Sequence, residues 1–292
     1  MREESIMHNF YIITNPKKDP DRTITDSIVH YLESKGQSCC VREHDDRDPS
    51  GRYRYTDPDK IPADVECIIV LGGDGTMIRS AVDCIDRQIP ILGINLGTLG
   101  YLAEIDRHSV LYALRHLIND EYMLEHRMML EGTVWRGNDI IGQSIAMNDI
   151  VIRREDTGMI RLSNSVNGSY MNSYKADGMI ISTPTGSTGY SLSVGGPIIS
   201  PQASLFLMTP LAAHTLSSRS VIFPESDQIT VTIGEGRDDE SVNALALYDG
   251  DVKIETRTGD RIVIRRAKKD ALVLKIHNDS FMETLRRKMS AL

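Results

Sequence analysis

Leu71-Gly72-Gly73-Asp74-Gly75-Thr76 packs three glycines, a carboxylate and a hydroxyl between an apolar run and an amphipathic stretch. Glycine lets backbone amides come close to an anion, and a following helix adds the positive end of its dipole. Gly72, Gly73, Gly75 and Thr76 are therefore candidate phosphate contacts. The loop is not a Walker A loop, because the chain contains no Gly-Lys pair, and it is not the dinucleotide fingerprint, because Ile78 stands where the third glycine belongs. Asp74 carries the most information. A carboxylate in a phosphate cradle repels the ligand unless it meets a cation or takes a proton from a hydroxyl that attacks phosphorus. The competing reading is a turn aspartate that caps the next helix.

Three further groups could handle a nucleotide. Ser182 to Pro197 holds seven Ser/Thr hydroxyls and four glycines in sixteen residues, and no lysine or arginine occurs from Ala176 through Ser218. Hydroxyls and glycine amides suit ribose, phosphate or an adenine edge, and Tyr190 offers a stacking face. Thr188, Gly189, Tyr190, Ser191, Leu192 and Ser193 form the centre of this stretch. A flexible linker is the alternative, and Pro184, Tyr190 and Leu192 argue against it. Asn148-Asp149 sets an amide beside a carboxylate at the start of a strand-like run, able to meet adenine and ribose groups, although Asn-Asp also suits a turn. Lys175 and Asp177 enter the strand before the hydroxyl-rich loop, where an exposed ion pair would be the plain alternative.

These residues need elements to position them, and the 292-residue chain has two kinds of periodicity. Phe10–Thr14, Cys67–Leu71 and Ile89–Asn95 read as short buried strands. Thr25–Ser34, Met77–Cys84 and Val110–Ile118 read as helices, and Asp45–Lys60 as a polar surface loop. Alternation of this kind predicts a parallel sheet with crossover helices. From about Met128 strand-like runs follow one another closely, with an Asn-Gly hairpin signal at Asn167-Gly168 and Asp-Gly turns later. The expected architecture is an α/β domain over 1–125, joined by 271–292, and a β-rich, sandwich-like domain over 126–270.

Composition sets limits on function. Forty per cent apolar and 25% charged residues describe an ordinary globular chain. A net charge of −8 argues against broad electrostatic binding of nucleic acid or an anionic membrane, so phosphates must be held by amides, metal ions or a few placed cations. Cys39, Cys40, Cys67 and Cys84 lack metal or disulfide spacing, and no signal-peptide or membrane-spanning pattern is visible. A cytoplasmic protein with free thiols is expected.

Taken together, Gly72-Gly73-Asp74-Gly75-Thr76, Leu96-Gly97-Thr98-Leu99-Gly100-Tyr101-Leu102, Asn148-Asp149, Asp177-Gly178 with Ser182 through Pro197, and His214 through Arg219 resemble the NAD kinase family. The first motif alone is shared with lipid kinases and phosphofructokinases. The resemblance implies transfer of a phosphoryl group to the 2′-hydroxyl of the adenosine ribose of NAD, on an NAD kinase-like fold. It implies Asp74 as general base, with Gly75 against the same substrate. It also implies that Asn148, Asp149, Lys175, Asp177 and Thr188 through Ser193 contact NAD. Asp251 is added as a further contact, at what is commonly a glutamine position. ATP or polyphosphate would be the donor, Mg²⁺ would arrive with the nucleotide rather than in a dedicated metal site, and a homodimer or homotetramer is expected. Two further departures stand out. Asp149 replaces the usual glutamate, which shortens its reach by one methylene, and Gly189 replaces a common alanine. A non-catalytic NAD- or NADPH-binding sensor, or a lipid or sugar kinase with the same glycine loop, are the alternatives.

Overall fold

In the computed structural model, residues 7–42, 54–97, 100–103, 105–156, 158–213, 219–236, 239–276 and 281–290 are described. Thr98, Leu99, the 214–218 part of the segment before Arg219, and most of the polar stretch after Asp45 lie outside them. The chain divides into two compact units, 1–126 with 271–292, and 127–270.

The first unit begins with β1 (Asn9–Thr14), α1 (Thr23–Ser34), β2 (Ser38–Val41), β3 (Cys67–Gly72), α2 (Asp74–Asp83), β4 (Ile91–Asn95), β5 (Ile105–Asp106), α3 (Val110–Ile118) and β6 (Met123–Arg127). Continuous apolar strands such as Cys-Ile-Ile-Val-Leu suit a sheet covered on both faces, and every residue of β3 and β4 is buried. β1 pairs in parallel with β2 and β3, and β3 with β4, as alternating strands and crossover helices require. Ile28 and Leu32 of α1 and Ala113, Leu114 and Leu117 of α3 pack with Phe10, Ile12, Ile69 and Leu92 in one core.

The second unit contains β7 (Leu130–Arg136), β8 (Asp139–Ala146), β9 (Asp149–Arg154), β10 (Ile160–Val166), β11 (Ser169–Ala176), β12 (Gly178–Ser182), α4 (Tyr190–Ser193), β13 (Leu205–Leu211), β14 (Val221–Pro224), β15 (Ile229–Ile233), β16 (Asn243–Tyr248), β17 (Val252–Arg257) and β18 (Arg261–Arg266). They form two antiparallel sheets, ordered β11-β10-β15-β18-β7-β8 and β14-β13-β12-β9-β16-β17. Alternating inward residues of both, among them Val134, Leu162 and Ile264 on one side and Ile150, Ile181 and Phe206 on the other, share a single core. Asn167 and Gly168 both have positive φ, at 51° and 80°, as the hairpin signal requires. The chain then returns to the first unit, where β19 (Ala271–Lys275) pairs in parallel with β4 and is followed by α5 (Phe281–Ser290).

Several elements differ from the sequence reading, among them the following three. α2 starts at Asp74, three residues before the predicted Met77, so the glycine loop and the first helical turn overlap. The hydroxyl-rich stretch, read as a loop, contains a 3₁₀ turn over Thr185–Thr188 followed by α4. Strand β8 was not anticipated, because most of its residues are exposed or half-buried and Gly142 interrupts the apolar pattern.

Tyr248 ties the second unit's sheets together. It is fully buried, and its hydroxyl donates to the Gly132 carbonyl at 2.9 Å. Tyr248→Phe should keep the packing and cost about 1 kcal/mol, the net worth of one buried hydrogen bond. Urea unfolding of the variant reads this directly, and an unchanged midpoint would show the bond to be unimportant.

Candidate functional site

Each unit carries part of the predicted chemistry. In the first, Gly72 closes β3, and Gly73 caps α2, accepting from Thr76 N at 2.9 Å and Met77 N at 3.1 Å. A Cβ at Gly72 would collide with the Thr76 side chain, so glycine is required there by close packing. Thr76 is buried and its hydroxyl accepts from Asn15 Nδ2 at 3.3 Å, which makes it a brace rather than an open phosphate contact. Gly75 is exposed with no atom near its Cβ position, and it leaves the first turn of α2 open to a ligand.

Asp74 is the first residue of α2, and its side chain is fixed from outside the helix. Oδ2 accepts from Tyr101 N at 2.7 Å, and Oδ1 accepts from Leu102 N and Ala103 N, each at 3.2 Å. Any Cβ at Gly100 would land on this carboxylate. Gly100 is therefore the residue that lets the 100–103 segment close over Asp74. A carboxylate has about four acceptor positions, so three amides orient Asp74 and still leave a lone pair for a hydroxyl proton. This differs from a capping aspartate, whose oxygen would accept from its own helix.

In the second unit, Asn148 and Asp149 begin β9 and are held by a residue that the sequence reading treated only as a turn. Asp249 accepts Met147 N at 2.9 Å through Oδ2, and Asn148 N at 2.7 Å and Asp149 N at 3.2 Å through Oδ1. Asp249 and Gly250 have φ of 50° and 74°, which aims the carboxylate back at β9. Asn148, Asp149, Tyr190, Asp249 and Gly250 line a cavity of about 420 Å³ together with Arg153. Burial, and then the Asp249 charge, push the Asp149 carboxyl up to about 7. At neutral pH this pocket therefore holds a carboxyl near its midpoint of ionisation beside a carboxylate that three amides satisfy.

The hydroxyl-rich stretch contributes less directly than expected. Thr183 donates to Met147 O at 2.6 Å, Thr188 to Thr185 O at 3.2 Å, and Ser191 pairs with Thr209. These hydroxyls fold the loop against the Asn148 backbone, where Gly186 has no room for a Cβ. Tyr190, Leu192 and Ser193 are exposed. A methyl at Gly189 would lie 3.2 Å from Gly186 O and 3.6 Å from Asn148 Nδ2, so the departure from alanine opens space beside that amide. Lys175 lines a different cavity, with Arg161, Glu235 and Asp239. The exposed Asp177 precedes β12 and donates its amide to Leu211 O, and Asp251 sits in the β16–β17 turn, its amide on Tyr248 O. Neither lines the Asn148–Asp149 cavity. The sequence reading missed Asp249 and the three amides of 101–103. Asp-Gly at 249–250 is a turn signal, and backbone amides carry no sequence signal at all.

Two family models match separate parts of the chain. The model of the ATP-NAD kinase N-terminal domain matches residues 10–122, and that of the ATP-NAD kinase C-terminal domain matches residues 147–276. The NAD kinase of Lachnospira eligens is 41% identical, with 97% of this chain and all of that protein covered. The NAD kinase of Agathobacter rectalis is 42% identical, with 97% and 99% covered. Among solved structures, a yeast NADH kinase complexed with NADH superposes with a TM-score of 0.80 at 26% identity, covering 97% of this chain and 86% of that one. An NAD kinase from Archaeoglobus fulgidus in complex with ATP has the same fold, with a TM-score of 0.76 at 20% identity, covering 97% and 99%.

Two outcomes follow from this geometry. Gly100→Ala should displace the Asp74 carboxylate and leave three amides without their acceptor, lowering stability by about 1–3 kcal/mol. A denaturation midpoint equal to that of the parent would contradict the clamp. Asp149 has a folded pKa above its ordinary 3.8, so its ionisation destabilises the fold increasingly as pH rises toward 7. Asp149→Asn should therefore gain stability relative to the parent between pH 5 and pH 8 in thermal melts, and a pH-independent difference would be the contrary result.

Proposed function

The chain belongs to the NAD kinase family, and from that premise we propose which of its residues carry each part of the reaction. It is an enzyme that phosphorylates the 2′-hydroxyl of the adenosine ribose of NAD to give NADP. The lipid- and sugar-kinase alternatives drop away with that membership. The sensor alternative has no use for Asp74, since a protein that only binds would gain nothing from a carboxylate placed among phosphates.

Asp74 is the general base, and the observation that carries this role is its fixed carboxylate at the first residue of α2. The amides of 101–103 hold it in place before substrate arrives, so no orientation has to be bought during the reaction. It accepts the 2′-hydroxyl proton as the oxygen attacks the terminal phosphorus of the donor, whose bond to the bridging oxygen breaks to release ADP or a polyphosphate shortened by one unit. The glycine loop and the open first turn of α2 receive the charge that spreads over the transferring phosphoryl oxygens. In the second unit, Asn148 and Asp149 hold adenine and ribose groups, and Tyr190 offers its ring to a base. Asp249 keeps both residues in position through their amides.

ATP is the donor in this reading, with polyphosphate as the alternative source of the same phosphoanhydride. Among the described residues, no three His, Cys, Asp or Glu side chains cluster to hold a metal ion. Mg²⁺ enters the reading as part of the metal–triphosphate substrate. A homo-oligomer in the cytoplasm completes it. The cysteines are free, which supports a reducing compartment.

The test is NADP formation from NAD, ATP and Mg²⁺, followed with an NADP-specific dehydrogenase. Asp74→Asn should lower kcat roughly 10²- to 10⁴-fold, the usual worth of a general base, and change KM for NAD only a few-fold. Near-normal turnover would remove Asp74 from the role.

A further inference from the structure

A carboxylate set into a phosphate loop on a chain of net charge −8 leaves an electrostatic deficit that backbone amides meet only in part. Lys18 stands over the loop that carries it. Its Nζ lies 2.9 Å from the Cβ position of Gly73 and 3.1 Å from that of Gly97, so the side chain extends across the bare backbone of both glycine segments. A Cβ at either glycine would crowd the ammonium group.

The placement is built. Asn15 N bonds Leu71 O at 2.9 Å, and Asn15 O accepts from Lys18 N at 3.0 Å and Asp19 N at 3.2 Å, tying the turn to the end of β3. Asn15 Nδ2 reaches Thr76 inside the glycine loop. On the far side, the buried Asp19 carboxylate accepts from Ile24 N, Thr25 N and the Thr25 hydroxyl, which pins the same turn to the start of α1. Two elements therefore fix the backbone of a residue whose own ammonium group makes no ion pair or hydrogen bond among the described residues. Asn95 completes the frame by accepting from Gly97 N at 2.8 Å.

We propose that Lys18 is the cation that binds the phosphates of the phosphoryl donor over the glycine loop, doing from the β1–α1 turn what a Walker A lysine does from within its own loop. The proposal deepens the kinase reading and rests on it. Lys18 offsets the repulsion between Asp74 and the incoming phosphates, and a point charge with three donors suits a mobile phosphate chain. The ligand class is a linear phosphoanhydride chain, which ATP and inorganic polyphosphate share.

The test compares the parent with Lys18→Met and Lys18→Arg. Calorimetric binding of inorganic tripolyphosphate should weaken roughly tenfold to a hundredfold in Lys18→Met, the range for losing one charge-assisted hydrogen bond, and recover in part in Lys18→Arg. In turnover, KM for the donor should rise by a similar factor while KM for NAD stays within about twofold. Running ATP and long-chain polyphosphate as separate donors shows which source the site uses. Lys18 is exposed, so the variants should melt with the parent, and a matching melt confirms that a binding loss is local. Unchanged tripolyphosphate affinity in Lys18→Met, or no tripolyphosphate binding by the parent at millimolar concentration, would overturn the assignment. Failure of the kinase reading itself would appear separately, as a parent protein that forms no NADP from either donor.

Discussion

Three amide hydrogen bonds from residues 101–103 hold one carboxylate of the glycine loop, and the arrangement of the first unit around that loop depends on them. Asp74 has to be a helix's first residue, so that the open turn of α2 faces a ligand, and its side chain has to be held by something other than that helix. Gly100 is where the chain can come that close. β3 and β4 are neighbours in the sheet, and Leu96 N on Gly72 O brings the two segments that follow them side by side. The parallel sheet thus serves to bring two glycine segments, far apart in sequence, to one end. Ligands of open α/β sheets gather at the carboxyl ends of the strands, and both glycine segments follow such ends.

The second unit solves a similar problem with a different element. A carboxylate in a turn, Asp249, satisfies three amides at the start of β9, and the partner it orients, Asp149, is buried beside it. Both units use an aspartate to arrange backbone, yet the consequences differ. Asp74 keeps a free lone pair at a half-buried position. Asp149 sits deep enough that its charge is costly at neutral pH, which a longer and more mobile glutamate would relieve by reaching solvent or ligand.

Much of this was legible in the residues, and what was not has physical reasons. Continuous apolar runs marked β1, β3 and β4, because burial on both faces of a sheet leaves that pattern. β13 was harder to read, since Pro210 interrupts it. The structure tolerates that proline because β14 pairs only with Leu205–Met208, leaving Pro210 beyond the neighbouring strand's end. The glycine loop and Asn148-Asp149 stood out by residue type. Asp249 did not, because the amides it serves lie about a hundred residues earlier. Lys18 was equally silent, since its meaning comes from two glycines brought beneath it by the sheet. The hydroxyl-rich stretch misled in detail, for several of its side chains are spent on the loop's own carbonyls.

An anchored base with an open loop beside it should act on one hydroxyl and not its neighbour. The most direct measurement is the position of the new phosphate, read by phosphorus-31 NMR on the product of NAD and the phosphoryl donor. A single phosphomonoester at the 2′ position of the adenosine ribose is the expected result. A 3′ phosphomonoester, or a mixture of the two, would contradict a carboxylate held in one orientation by the amides of Tyr101, Leu102 and Ala103.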